Sequence, residues 1–256
     1  MSVMPDPFET SIASLLRFIG ESRRMAGFTG AGISTESGVP DFRSPGSPWM
    51  QNKPIPFGLF LENPAARREA WRRKFTMDDL YRDARPTRGH AALASLVAGG
   101  RMTAVITQNI DNLHQASGLR DDEVIELHGN GSYATCLSCD RRHELADIRL
   151  AFEASGEPPV CKSCGGIVKS ATISFGQAMP QAKLRAALTL SLESDLFLVI
   201  GSSLVVHPAA SLPSLAKENG ARLVIVNREP TPLDGQADLV IAGEIGPVLS
   251  RIASEL

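Results

Sequence analysis

The chain has 256 residues, enough to bury one large core with a small inserted unit, and its 26 basic and 28 acidic side chains leave a formal charge of −2. That balance gives no overall field favouring polyanions or acidic membranes, and ten Phe, two Trp and two Tyr offer no visible platform for stacking single strands; no nucleic-acid partner is expected. The opening MSVMPDPFET has acids and prolines where a secretory leader needs a basic and then an apolar stretch. The longest apolar runs are of strand length, so a cytoplasmic chain with no membrane partner is expected.

In chain order, a helix is predicted over 10–24 and a strand over 24–28. Residues 44–86 begin with the Pro- and Gly-rich SPGSPWMQNKPIPFG, read as a mobile loop. A small helical module follows, with Asn63 as cap and Pro64 in its first turn. Its cluster Arg67, Arg68, Arg72, Arg73 and Lys74 reads as a solvated helix face, and Trp71 as packing. A helix over 87–98, capped by Thr87 and ended by Gly99-Gly100, leads to strands over 102–107 and 123–127. After the cysteine-bearing stretch 132–170 come a helix over 181–192, a strand over 196–200, a helix over 209–219, and strands over 222–226 and 238–241. Apolar runs flanked by turns and helices suggest central strands covered on both faces. The fold class is α/β: a doubly wound, Rossmann-like parallel sheet with an inserted small domain made of a zinc ribbon and a helical module.

The four cysteines form CLSC (Cys136, Cys139) and CKSC (Cys161, Cys164), with 21 residues between the pairs. Each short turn presents two thiolates on one side, so the pairs converge on one tetrahedral zinc. Disulfides or redox thiols are the competing reading, disfavoured in a reducing compartment. Four sulfur ligands leave no position for a catalytic water, so the metal is expected to be structural.

TGAGISTESGVPDFR, residues 29–43, begins like a dinucleotide turn, but Thr35 stands where the third glycine of Gly-x-Gly-x-x-Gly belongs. A hydride-transferring dehydrogenase also needs an acid about 20 residues beyond the turn; WMQNK supplies none. Four further turns, QNIDNLH (108–114), HGN (128–130), GSSLVVHPAA (201–210) and VNREPTPLD (226–234), follow predicted strands at the sheet edge where open α/β folds bind ligands. Together they describe one extended pocket.

The ordered set TGAGIS, GVPDFR, TQNIDNLH, ELHG, the two Cys-x-x-Cys pairs, ISFGQAMP, GSSLVVHPAA and VNREPTPLD resembles the sirtuins, NAD-dependent protein-lysine deacylases, over roughly 25–245. The resemblance implies a division into an NAD-binding Rossmann-like domain (1–43, 87–131 and 171–256), a cofactor loop and helical module (44–86), and a zinc ribbon (132–170). It puts Gly30, Ala31, Gly32 and Ser34 at the NAD turn, and Asp41, Phe42 and Arg43 at the reacting end, with the Phe42 ring shielding the sugar cation. Gln108 and Asn109 fall to the ribose and an ordered water, and Ile110 and Asp111 to the nicotinamide carboxamide. Gly201, Ser202 and Ser203 meet phosphate, Asn227, Arg228 and Glu229 the adenosine ribose, and Ile245 the adenine end.

By the same resemblance His128, Asn109 and Asp111 are catalytic. The acyl oxygen of a modified lysine attacks NAD as nicotinamide leaves, and neutral His128 accepts a ribose hydroxyl proton. His90, His114, His143 and His207 are expected to be hydrogen-bonding or surface histidines. The acyl-lysine peptide would lie extended between 175–178 and 204–207, against Phe175, Gly176, Val205 and Val206, held by backbone hydrogen bonds. Sirtuins that prefer succinyl or malonyl lysine carry a Tyr-x-x-Arg pair after the tryptophan of the helical module; aligning Trp71 puts Lys74 and Met77 there, which favours acetyl or another uncharged acyl group. The activity expected is deacetylation, with NAD as co-substrate and one structural zinc. An ADP-ribosyltransferase in the same pocket, a deacylase of longer uncharged acyl groups and a catalytically idle zinc-ribbon module are the alternatives.

Overall fold

The computed structural model describes residues 6–42 and 44–255. Its strands are β1 (Met25–Thr29), β2 (Met102–Thr107), β3 (Val124–Glu126), β4 (Gly129–Cys136), β5 (Arg142–Glu144), β6 (Val168–Thr172), β7 (Leu196–Ile200), β8 (Arg222–Asn227) and β9 (Leu239–Ala242). Six form a wholly parallel sheet in the order β3-β2-β1-β7-β8-β9, and three form a small antiparallel sheet, β5-β4-β6. Chain order reverses between β1 and β7, which opens a crevice at their carboxyl ends.

The central strands β1, β2, β7 and β8 are largely apolar because each serves two cores. In β7, Leu196, Leu198 and Ile200 enter one core with the helices Pro7–Glu21, Arg88–Ala98 and Ile245–Glu255, whereas Phe197 and Val199 enter the other with Gln181–Glu193 and Leu212–Glu218. Side chains alternate across a strand, so a chain buried on both faces loses the polar half of the pattern.

Predicted boundaries moved where capping chemistry outweighed periodicity. The first helix is Pro7–Glu21, earlier than 10–24, because the Asp6 carboxylate accepts the Phe8 amide at 3.0 Å and Pro7 occupies its first turn. It stops before β1 because the Asp195 carboxylate takes the Ser22 hydroxyl and the Arg23 and Arg24 amides. Thr87 and His90 form a reciprocal capping box for Arg88–Ala98. The predicted helix over 209–219 is divided into a 3-10 turn, Ala209–Ser211, and the helix Leu212–Glu218.

The two insertions share a third core: Trp71 and Phe75 from the helix Pro64–Leu80 pack on Ala134, Cys136, Ile148, Cys161 and Val168. Trp71 and Phe75 meet at 5.6 Å between ring centroids. Helical module and ribbon are therefore one packed unit, and the expected boundaries at 131/132 and 170/171 fall inside β4 and β6, which run from the large sheet's edge into it. The basic cluster keeps Arg68 and Arg72 exposed, as a solvated face should, but its side chains are paired. Arg67 donates to the Phe60 and Leu61 carbonyls, Arg68 pairs with Glu157, and Arg72 and Arg73 share Glu69. Lys74 is largely buried and paired with Asp78.

Candidate active site

At the β1/β7 crevice lies a cavity of about 880 Å³. Its floor is three glycines in contact. A Cβ on Gly30 would sit 2.7 Å from the Gly201 carbonyl oxygen, and one on Gly32 2.7 Å from Gly201 Cα. The Gly30 amide donates to Ile200 O at 3.0 Å, and the Gly32 amide to Gly201 O at 2.9 Å. The two glycines of the opening motif thus serve first to seat one turn on another. The third-glycine position of a dinucleotide motif is needed for a helix packed closely on its strand; here Ala31–Ser37 is a 3-10 helix, and Thr35 donates its hydroxyl to Gly32 O at 2.9 Å. Gly30→Ala should lower stability by roughly 1–3 kcal/mol through overpacking, read as a drop in melting temperature. An unchanged melting temperature would show that the turns are free to separate.

The cavity is lined by Gly30, Ala31, Gly32, Asp41, Phe42, Gln108, Asn109, Ile110 and His128 from the first half of the chain. Gly201, Ser202, Ser203, Asn227, Arg228, Glu229 and Ile245 line it from the second, with Phe175, Gly176 and Val206 at the mouth. Ser34, Asp111 and Val205 are not in this lining. The Ser34 hydroxyl is buried and donates to Asp111 Oδ2 at 2.7 Å, while Asp111 Oδ1 accepts the Leu113 amide at 3.0 Å. Val205 instead lines a neighbouring hollow with Leu204, Leu215 and Leu233. Arg43 lies outside the described residues.

Asn109 connects the two shells: its Nδ2 donates to Gly30 O at 3.2 Å and Ser34 Oγ at 3.1 Å, leaving Oδ1 as an acceptor for the cavity. Gln108 Nε2 donates to Ser202 Oγ at 2.8 Å, tying the β2 turn to the β7 turn. The Ile110 carbonyl accepts the Gly131 amide at 2.7 Å. At the outer end, the Asn227 carboxamide donates to Glu229 O, and Arg228 pairs with Glu229 and Glu244 on the exposed rim.

His128 has one nitrogen committed. Its Nδ1 lies 3.0 Å from Gln108 O; a carbonyl only accepts, so Nδ1 carries the proton and Nε2 keeps its lone pair. Burial pushes its pKa below the usual histidine value, against the opposing pull of the Gln108 carbonyl. The imidazole is neutral at pH 7 and aimed to accept a proton.

The loop after β1 is built on Asp41, whose carboxylate accepts the Ser44 amide at 2.7 Å and the Ser44 hydroxyl. Trp49, not singled out in the sequence, stacks on Phe42 with centroids 4.5 Å apart and rings 15° from parallel, and its Nε1 donates to Pro40 O. Its signal was available: an aromatic seven residues after another in a Pro-rich loop. On the far wall, Trp71, Lys74, Met77, Tyr81 and Lys169 reach the same cavity. The segments expected to flank the peptide carry turns of their own. Residues 175–177 form a turn with Gly176 at φ +82°, and Leu204 stands at φ +53°. The Phe175 carbonyl already accepts the Phe57 amide, and the Val206 carbonyl the Ala210 amide.

All four cysteines are free thiols whose sulfurs lie within 4.8 Å of one another, with Cys136–Cys164 at 3.5 Å and Cys139–Cys161 at 3.8 Å. Ligands about 2.3 Å from a tetrahedral zinc stand about 3.8 Å apart, so the donor set fits that metal and is too open for disulfides. The charge balance asks for it too. The Ser138 amide helps pull Cys136 down to about 6, while at Cys164 the Gly166 amide favours the thiolate but the Cys139 and Cys136 sulfurs push it up to about 12. A dication allows all four to ionise.

A doubly wound sheet with glycine turns at its switch point, covered by a four-cysteine ribbon, defines a Rossmann-like dinucleotide-binding protein with a structural metal module. The chain matches the Sir2 family over residues 30–208. It is 55% identical over 240 residues to an NAD-dependent protein deacetylase of Rhodopseudomonas palustris, covering 94% of this chain and 95% of that one. It is 52% identical to NAD-dependent protein deacetylase 1 of Bradyrhizobium diazoefficiens, covering 97% and 98%. A solved Sir2 structure with a peptide and NAD+ superposes with a TM-score of 0.85 at 38% identity, over 95% of this chain and 98% of that one. Another, with a deacetylated peptide and 3'-O-acetyl ADP-ribose, gives 0.86 at 36% identity over 96% and 98%. The chain belongs to the Sir2 family, the sirtuins.

Proposed function

We infer that this protein is an NAD-dependent protein-lysine deacetylase that releases nicotinamide and transfers the acetyl group to ADP-ribose. The observation that carries the reading is His128, with Nδ1 bound to a carbonyl and Nε2 open, in the wall of a cavity floored by the Gly30–Gly32 and Gly201 turns. NAD supplies the electrophilic sugar carbon and a neutral leaving group. The chain's own residues do the rest. Over the glycine floor Ser202 and Ser203 bind phosphate, Asn109 Oδ1 holds a donor at the reacting end, and Asp111 acts through Ser34 to orient Asn109. Phe42, braced by Trp49, covers the sugar, and His128 Nε2 takes the hydroxyl proton that must leave for acyl transfer.

An uncharged acyl group suits the far wall. Lys74 is neutralised by Asp78, Trp71 and Met77 are apolar, and the Arg73 guanidinium is committed to Glu69 and the Lys53 carbonyl, so a terminal carboxylate finds no open guanidinium fork there. Four free thiols and the absence, among the described residues, of a helix able to cross a membrane support the reading of a cytoplasmic enzyme. We retain residues 1–43, 87–131 and 171–256 as the NAD-binding domain, with 44–86 and 132–170 as the module that covers it.

The purified protein with NAD and an acetyl-lysine peptide should release nicotinamide and deacetylate the peptide in equal amounts. Nicotinamide release without peptide deacetylation, with label from adenine-labelled NAD appearing on protein, would replace this reading with ADP-ribosyl transfer. Asn227→Ala should raise KM for NAD severalfold at nearly constant kcat, since it sits on the rim far from the reacting bond; an unaltered KM would remove Asn227 from cofactor binding.

A further inference from the structure

Beneath the cavity floor runs a polar chain that the chemistry above does not use. His90, His114, Thr29 and Thr107 are each no more than 2% exposed. Burial pushes His90 down to about 4 and, aided by its neighbour's charge, His114 to about 3, so each ring is neutral and carries one proton. The Thr87 amide donates to His90 Nδ1 at 3.1 Å, which puts the His90 proton on Nε2. That N–H has no acceptor, and Nδ1 of His114 has no partner either, although the rings meet edge-on with centroids 4.8 Å apart.

With the His90 N–H facing that ring, an acceptor at His114 Nδ1 is favoured over a second donor, the arrangement in which His114 carries its proton on Nε2. That tautomer sets the remaining directions. His114 Nε2 donates to Thr29 Oγ1 at 2.8 Å, Thr29 donates to Thr107 Oγ1 at 2.8 Å, and Thr107 Oγ1 also accepts the Asn109 amide at 3.1 Å. Thr29 and Thr107 are register partners at the last positions of β1 and β2, so their hydroxyls meet across the sheet where both strands turn into the cavity. Valine would satisfy those strands and their burial equally well. What the hydroxyls add is a bond to the backbone of Asn109, whose carboxamide lines the cavity.

We propose that His114 is a positioning residue for cleavage of the nicotinamide bond, acting through Thr29 and Thr107 to fix the backbone of Asn109. The proposal rests on the deacetylase reading above. Its test compares wild type with Thr29→Val, Thr29→Ser and His114→Phe, each assayed well below its own melting temperature. Acetyl-peptide-dependent nicotinamide release gives kcat and KM for NAD, and 15N NMR follows the Asn109 side-chain amide. Thr29→Val and His114→Phe should lower kcat by about tenfold or more, as expected for a displaced reacting geometry. KM for NAD should change by less than about threefold, on the logic of an effect confined to the transition state. The Asn109 amide signal should shift in both variants, and Thr29→Ser, which keeps the hydroxyl, should recover most of kcat. A Thr29→Val enzyme with wild-type kcat, or one no worse than Thr29→Ser, would overturn the proposal. If wild type itself releases no nicotinamide, the deacetylase reading fails separately; an Asn109 signal unmoved by Thr29→Val would then still dismiss the network.

Discussion

His128→Ala should lower acetyl-peptide turnover by about 10²–10⁴-fold, the range for losing a positioned general base, while the melting temperature stays within a few degrees of wild type. The fold should survive because His128 contributes one hydrogen bond, Nδ1 to Gln108 O, and belongs to none of the three apolar cores. The same geometry sets the pH dependence. The reactive species is the neutral ring, present above the folded pKa and lost as pH falls through it. Burial lowers that pKa, so the acidic limb of kcat/KM should have its midpoint below the ordinary histidine value of 6.5. A midpoint at or above 6.5, or substantial turnover by the alanine variant, would remove His128 from the proton transfer.

Removal of zinc, by chelation or by Cys136→Ser, should have the largest effect on stability. Cys136 and Cys161 are buried in the third core beside Trp71 and Phe75, so loss of the metal leaves uncompensated thiols at the centre of the apolar packing that joins ribbon to helical module. Tryptophan emission should shift to the red as Trp71 becomes wet, at a temperature where the large sheet is still folded. Because Trp71 also lines the cavity, peptide turnover should fall in step with the fluorescence change, while NAD retains the turns of the large sheet to bind. A zinc-free protein with unshifted emission and an unchanged melting temperature would contradict a structural metal.

The architecture was largely readable in advance because burial on both faces leaves a strong trace: LFLVI at 196–200 and RLVIVN at 222–227 admit few other readings in a chain of alternating helices. The cysteine spacing was equally plain, since thiolate geometry is local to each Cys-x-x-Cys turn. Helix limits were harder. Asp6 and Asp195 act through their carboxylates, one on its own helix and the other across about 170 residues of chain, and only the second kind escapes a local pattern.

At the site, residue types and their order along the chain determined the glycine turns, the histidine after β3, the four thiolates and the family they belong to. Tertiary structure decided what each group is free to do. The folded chain shows that Gly30 and Gly32 are glycines because the Gly201 turn occupies the space a Cβ would need. It also puts Asp111 behind Ser34, leaves Val205 on a neighbouring hollow, and joins His114 to Asn109 through two threonines. The physical reason is the same each time: hydrogen-bond satisfaction and close packing are settled between segments distant in sequence, so a side chain's type can be read from the chain while its partner cannot.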